Sequence, residues 1–207
     1  MTMLETATPQ ALMDWVRERR SIRRYRPEPL PRELIDRLID AARFAPSAHN
    51  RQPWRFVVLH DAEQKERLAT AMGERLRADR LAYGDDRDAI EQDVARSHAR
   101  IAAAPVVIAA CFTLAGMDVY PDARRAAAER MMAVQGTAMA VQNLLLLAHA
   151  EGLAACWMCA PLFCLDTVRA ALGLPADWEP QALITLGYPA APGRRRERRA
   201  IAEIVQQ

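Results

Sequence analysis

Cysteine, glycine and aromatic residues are scarce in this 207-residue chain, which has four cysteines, eight glycines and 6% aromatic content. Three of the cysteines crowd at Cys156, Cys159 and Cys164, which suits thiols better than the disulfide framework of a small secreted domain. No GxGxxG follows a strand-like run and no GxxxxGK[ST] is present, so neither the dinucleotide fingerprint nor the nucleotide P-loop is available. Any phosphate must be held by side chains. The net charge is only +2 and no aromatics interleave with the basic runs, so a nucleic-acid partner is not expected. The most apolar stretch, MAVQGTAMAVQNLLLLAHA, is interrupted by Gln135, Gly136, Gln142 and Asn143, so no membrane-spanning run is expected. The N-terminal MTMLETATPQ lacks the basic start and apolar block of a signal peptide, and the expected compartment is the cytoplasm.

What is present is an ordinary globular composition, 51% hydrophobic and 26% charged, of a length that fits one domain over residues 1–207. Helical periodicity covers 9–20 and the segment PRELIDRLIDAARFA, with Pro31 placed for a first turn. WRFVVLH (54–60) and PVVIAACF (105–112) read as buried strands, and 62–104 is polar and helix-prone. A long helix is predicted over 124–150, ending near Gly152. Its apolar positions cover more of its circumference than one sheet can bury, so it should cross the core or meet a second subunit. A short strand LAACWM, a helix LDTVRAALGL and a last strand PQALITLGYP complete the pattern.

Charge is concentrated at two places far apart in sequence. RRSIRRYR (19–26) sets Arg19, Arg20, Arg23, Arg24 and Arg26 around Ser21, and RRRERR (194–199) adds five more arginines against one glutamate. Two unrelated solvated ends would explain this, and so would two halves of one phosphate site, since guanidinium forks bind phosphate bidentately. A third polar stretch, APSAHNRQPW (45–54), places Ser47, His49, Asn50, Arg51 and Gln52 between two prolines, either as a plain helix-ending turn or as a loop offering donors and acceptors to a planar ring.

The order R-R-S-x-R-x-Y, P-S-x-x-N-x-Q-P-W, A-P-V-V-I, G-L-x-A-C-W, L-G-Y-P and a basic tail resembles the nitroreductase family of FMN enzymes along nearly the whole chain. The resemblance implies an α+β fold, a central mixed or antiparallel sheet flanked by helices, in a homodimer with two FMN sites at the subunit interface. It assigns Arg19, Arg20, Ser21 and Arg23 to the FMN phosphate and ribityl chain, with Arg23 reaching the ring's polar edge. Pro46, Ser47, Ala48 and Asn50 would come from the other subunit and lie along the ring. Arg196 and Arg198 would complete the phosphate site, and a backbone N–H near Met158 and Cys159 would face the ring. Arg96 or Arg100 could add positive charge there. No side-chain general acid or base is implied, because the flavin carries the chemistry.

The activity so implied is transfer of reducing equivalents from NADPH or NADH to an electron-poor small molecule such as a nitroaromatic, quinone or activated alkene, in ping-pong order. The last third also resembles the C-terminal FMN domain of the glutamyl ligases that build the deazaflavin coenzyme, which implies reduction of a dehydro precursor; the ligase half has no counterpart in this sequence. A non-catalytic flavin-binding protein fits the same motifs. His149 with Cys156, Cys159 and Cys164 has a spacing that could hold zinc or an iron–sulfur cluster. With only one CxxC in apolar surroundings, buried free thiols are the better reading and no metal is expected. His49 is the better functional histidine, whereas His60 and His98 show no readable partner. Trp15, Trp54 and Trp178 read as packing residues, and Trp157 as one that could approach the flavin.

Overall fold

The computed structural model describes residues 8–206; residues 1–7, on which the reading of the N-terminus partly rests, lie outside it. Helices α1 (Pro9–Glu18) and α2 (Arg32–Ala42) precede strand β1 (Trp54–Leu59). Helices α3 (Ala62–Ala82) and α4 (Arg87–Ala102) form an antiparallel pair ahead of β2 (Val106–Thr113). Then come α5 (Ala123–Ala150), β3 (Ala154–Met158), α6 (Leu165–Leu172) and β4 (Trp178–Gly187). Side-chain oxygens cap four of these helices: Thr8, Asp61, Asp86 and Asp122 each accept from the third residue on, satisfying an otherwise orphaned N–H. Pro31 sits at the N-cap of α2 rather than inside its first turn.

The strands form one antiparallel sheet in the order β1-β2-β4-β3. Among the described residues the parallel pairing is an isolated bridge between Ser21 and Ala155. Along β2, Val106, Ile108 and Ala110 face α2 and α5, while Val107 and Ala109 face α3 and α6. With helices on both faces every β2 residue is buried, which is why its sequence is continuously apolar instead of alternating. β4 begins at Trp178, two residues before the expected PQALITLGYP run, because Trp178 pairs with Thr113.

Helix α5 is long and apolar enough by length and composition to cross a bilayer, which corrects the expectation that Gln135, Gly136, Gln142 and Asn143 rule this out. In the fold it is the central core helix. Ala133, Gly136, Thr137, Ala140, Val141, Leu144, Leu145 and Ala148 form its buried stripe, while Met131 and Met139 stay exposed.

Candidate functional site

The irregular segment after α1 is stitched to the ends of β3 and β4. The Ile22 N–H donates to Ala155 O at 3.2 Å and Arg26 N–H to Tyr188 O at 2.9 Å. The Tyr25 hydroxyl donates to Ile22 O at 2.8 Å and shares a 2.6 Å hydrogen bond with Thr185 Oγ1, and burial pushes its pKa up. On leaving β4 the chain runs back beside this segment, with the Ala190 N–H donating to Arg24 O at 3.1 Å. Two glycines make the approach possible. A Cβ on Gly187 would lie 2.8 Å from both Pro105 Cδ and Tyr25 Cβ, and one on Gly193 would lie 2.4 Å from Arg20 Cβ. Real Cβ atoms do not come so close.

The two basic segments thereby meet around one cavity of about 1100 Å³. Arg19, Arg20, Ser21, Arg23 and Arg24 form one wall, Arg194, Arg196 and Arg198 a second, and Arg96 and Arg100 of α4 a third. Among the described residues no aspartate or glutamate lines it. Among the described residues only Arg96 of these arginines has a carboxylate partner, Asp93. Three of the others turn to backbone carbonyls: Arg20 donates to the oxygens of Arg17 and Arg19, Arg23 to Ser21, and Arg198 to Arg196 and Glu197. Burial, then Arg198 and Arg20, lower the pKa of Arg19. Such a concentration of unneutralised guanidinium is built for an anion with several oxygens.

Sequence reasoning missed Lys65, the only lysine of the chain. It is buried, and its Nζ donates to Ala104 O at 2.7 Å and Pro105 O at 3.0 Å. A cation on these carbonyls, just past the end of α4, suits the helix dipole and holds in place the helix that carries Arg96 and Arg100. Nothing in the local sequence distinguishes it from a solvated surface lysine.

The remaining expected site residues lie off this cavity's wall within one chain. Pro46, Ser47, Ala48 and Asn50 form a tight loop in which His49, Asn50 and Gln52 have φ of 48°, 53° and 50°. Ser47 Oγ accepts from the Gln52 N–H at 3.0 Å, and Arg51 pairs with Asp118 at 2.6 Å. Gly136 of α5 supports the loop from below, since a Cβ there would lie 3.4 Å from Ser47 Cβ. Met158 packs in the α3/α6 core. Cys159 is exposed and accepts a hydrogen bond from Trp157 Nε1 at 3.0 Å.

His149, Cys156, Cys159 and Cys164 form no metal-holding group among the described residues. Trp15 stacks on His149 at 5.6 Å, and the Cys156 and Cys164 thiols donate to backbone carbonyls. Cys156 lies within the field of Arg23, Arg100 and Arg19, but burial outweighs them and raises its pKa. His98, without a readable partner in the sequence, pairs with Glu66 at 2.8 Å.

Comparison with known proteins finds relatives along nearly the whole chain. An NADH dehydrogenase of Thermus thermophilus is 34% identical over 212 residues, covering 91% of each chain. A 5,6-dimethylbenzimidazole synthase of Rhodospirillum rubrum is 31% identical over 193 residues, covering 86% of this chain and 81% of that one. A nitroreductase-type protein of Desulfovibrio desulfuricans, solved in complex with FMN, superposes with a TM-score of 0.74 at 29% identity, covering 98% of both chains. The profile of the nitroreductase family matches residues 16–188, and the chain belongs to that family.

Proposed function

We propose that this protein is an FMN-dependent oxidoreductase that passes reducing equivalents from NADPH or NADH to an electron-poor small molecule, by ping-pong exchange of the two reactants. The observation that carries the reading is the acid-free cavity where 19–24 and 194–198 meet, in a fold whose solved relative holds FMN. A phosphate monoester near neutral pH carries close to two negative charges and three acceptor oxygens, which suits Arg19, Ser21, Arg196 and Arg198 as its holders. The cavity's size leaves room for a ribityl chain between these residues and Arg23.

When bound, FMN supplies the two-electron chemistry, and the protein supplies position and electrostatics. Arg23 and the half-buried Arg100, neither neutralised by a carboxylate among the described residues, line the cavity and would stabilise negative charge growing on the bound ring, in the manner of an oxyanion hole. Arg96 is already engaged by Asp93, which favours Arg100 for this task. The backbone N–H groups around Met158 and Cys159 are the donors that would face the ring when it is bound. The loop carrying Pro46, Ser47, Ala48 and Asn50 is held by the Ser47–Gln52 hydrogen bond and lies off its own chain's cavity, which supports the reading that a second copy supplies it in a homodimer.

Relatives of similar identity are named for NADH dehydrogenation and for dimethylbenzimidazole synthesis, so the reactants are assigned by experiment. Anaerobic addition of NADPH or NADH to the flavin-loaded protein should bleach the flavin within the turnover time. Colour should then return with a nitroaromatic, a quinone, an activated alkene or a dehydro precursor of the deazaflavin coenzyme. A flavin that neither nicotinamide reduces would mark a binding protein instead of an enzyme.

A further inference from the structure

The family match ends at residue 188, yet one wall of the cavity is built by residues beyond it. From Pro189 the chain has no helix or strand until a single 3₁₀ turn at Ile201–Glu203. Its side chains are exposed there, Ile201 at 75% and Ile204 at 66%. Little apolar burial holds this segment down. Between it and the body lie like charges, Arg194, Arg196 and Arg198 against Arg19 and Arg20, which repel when nothing lies between them. What brings the two walls together is the backbone contact at Gly193, where any side chain would collide with Arg20 Cβ at 2.4 Å and Ile22 Cγ1 at 3.1 Å. The colliding atoms sit close to the backbone of a stitched segment, so they cannot swing aside as a side-chain tip would.

We propose that Gly193 is a positioning residue that lets the C-terminal segment close as a strap over a bound phosphate, and that this closure makes the site select FMN over unphosphorylated flavin. This rests on the FMN reading above and adds to it the device that distinguishes the two cofactors. An anion between the walls converts the repulsion into two sets of charge-assisted hydrogen bonds, so strap closure and phosphate binding are linked and each favours the other.

The test uses cofactor-stripped full-length protein and limited trypsin digestion, with mass spectrometry of cleavage after Arg194 to Arg199 measured against cleavage elsewhere. In the wild type, inorganic phosphate and FMN should each slow cleavage of the strap about tenfold or more, while riboflavin should not. In Gly193→Ala the same arginines are present, but cleavage should stay fast with phosphate. FMN should bind about ten- to a hundredfold more weakly, the value of a lost charge-assisted contact, with riboflavin affinity unchanged. Equal strap cleavage with and without phosphate in the wild type overturns the proposal even if the variant cannot be made. So does a Gly193→Ala protein that keeps the wild-type preference for FMN over riboflavin. FMN binding without strap protection would sink the strap and leave the oxidoreductase reading intact. Phosphate protection with no flavin binding would sink the oxidoreductase reading and the selection of FMN with it.

Discussion

A half-buried guanidinium with like charges beside it, as at Arg19, is unfavourable until an anion arrives. The wall arginines therefore serve binding more than stability. Replacing Arg23 by Ala should leave the fold intact and weaken FMN by about 1.5–3 kcal/mol for each charge-assisted bond removed, read by flavin fluorescence titration; unchanged affinity would contradict its assignment. The thiols behave oppositely. Cys111, Cys156 and Cys164 are buried and Cys159 is exposed, so a thiol reagent should modify one cysteine per native chain quickly, and Cys159→Ser should abolish that phase. Burial pushes the Cys111 thiol from 9.0 up to about 12. Its folded pKa is raised, so its contribution is full below about pH 9 and is lost as pH rises toward 12, because the unfolded chain releases the proton first. The fall should be about 1.4 kcal/mol per pH unit for this thiol, and denaturant titrations of Cys111→Ala across that range should show a correspondingly shallower loss.

At the scale of elements, the cavity exists because the 19–26 segment is laid against the ends of β3 and β4. Gly187→Ala places a methyl 2.8 Å from Pro105 and from Tyr25 Cβ. It should cost about 1–3 kcal/mol of stability, as overpacking does, and should also weaken FMN, measured by denaturant unfolding and by titration. Nearly every element was legible in the sequence, since caps, periodicity and the apolar run of β2 all express local physics. The arginine pairing of 19–23 with 194–198 was legible only as two charge clusters, because the contact that joins them is made by Gly187 and Gly193, whose importance lies in what they touch. Lys65 was silent for the same reason. Its burial depends on the carbonyls past α4, thirty-nine and forty residues away. The spacing of His149 and the three cysteines suggests a cluster that the fold does not assemble, since each of those side chains is turned to a neighbour of its own.

On the scale of the whole molecule, one chain carries surfaces that it does not itself cover. Helix α1 buries none of its residues despite an apolar face of Leu12, Met13 and Val16, and Met131 and Met139 of α5 face outward. A second copy covering such surfaces would bring the 46–50 loop to the other chain's cavity. Mixing Arg23→Ala subunits with Asn50→Ala subunits should then restore one intact site per heterodimer, about half the wild-type FMN per dimer at wild-type affinity. Heterodimers that bind no more tightly than either parent would refute a shared site.

The most direct measurement is a crystal structure of the protein loaded with FMN. The account predicts the phosphate between Arg19 and Ser21 on one side and Arg196 and Arg198 on the other, with the Pro46–Asn50 loop of a second copy against the ring. A phosphate bound away from these arginines, or a ring covered by the same chain's loop, would contradict it.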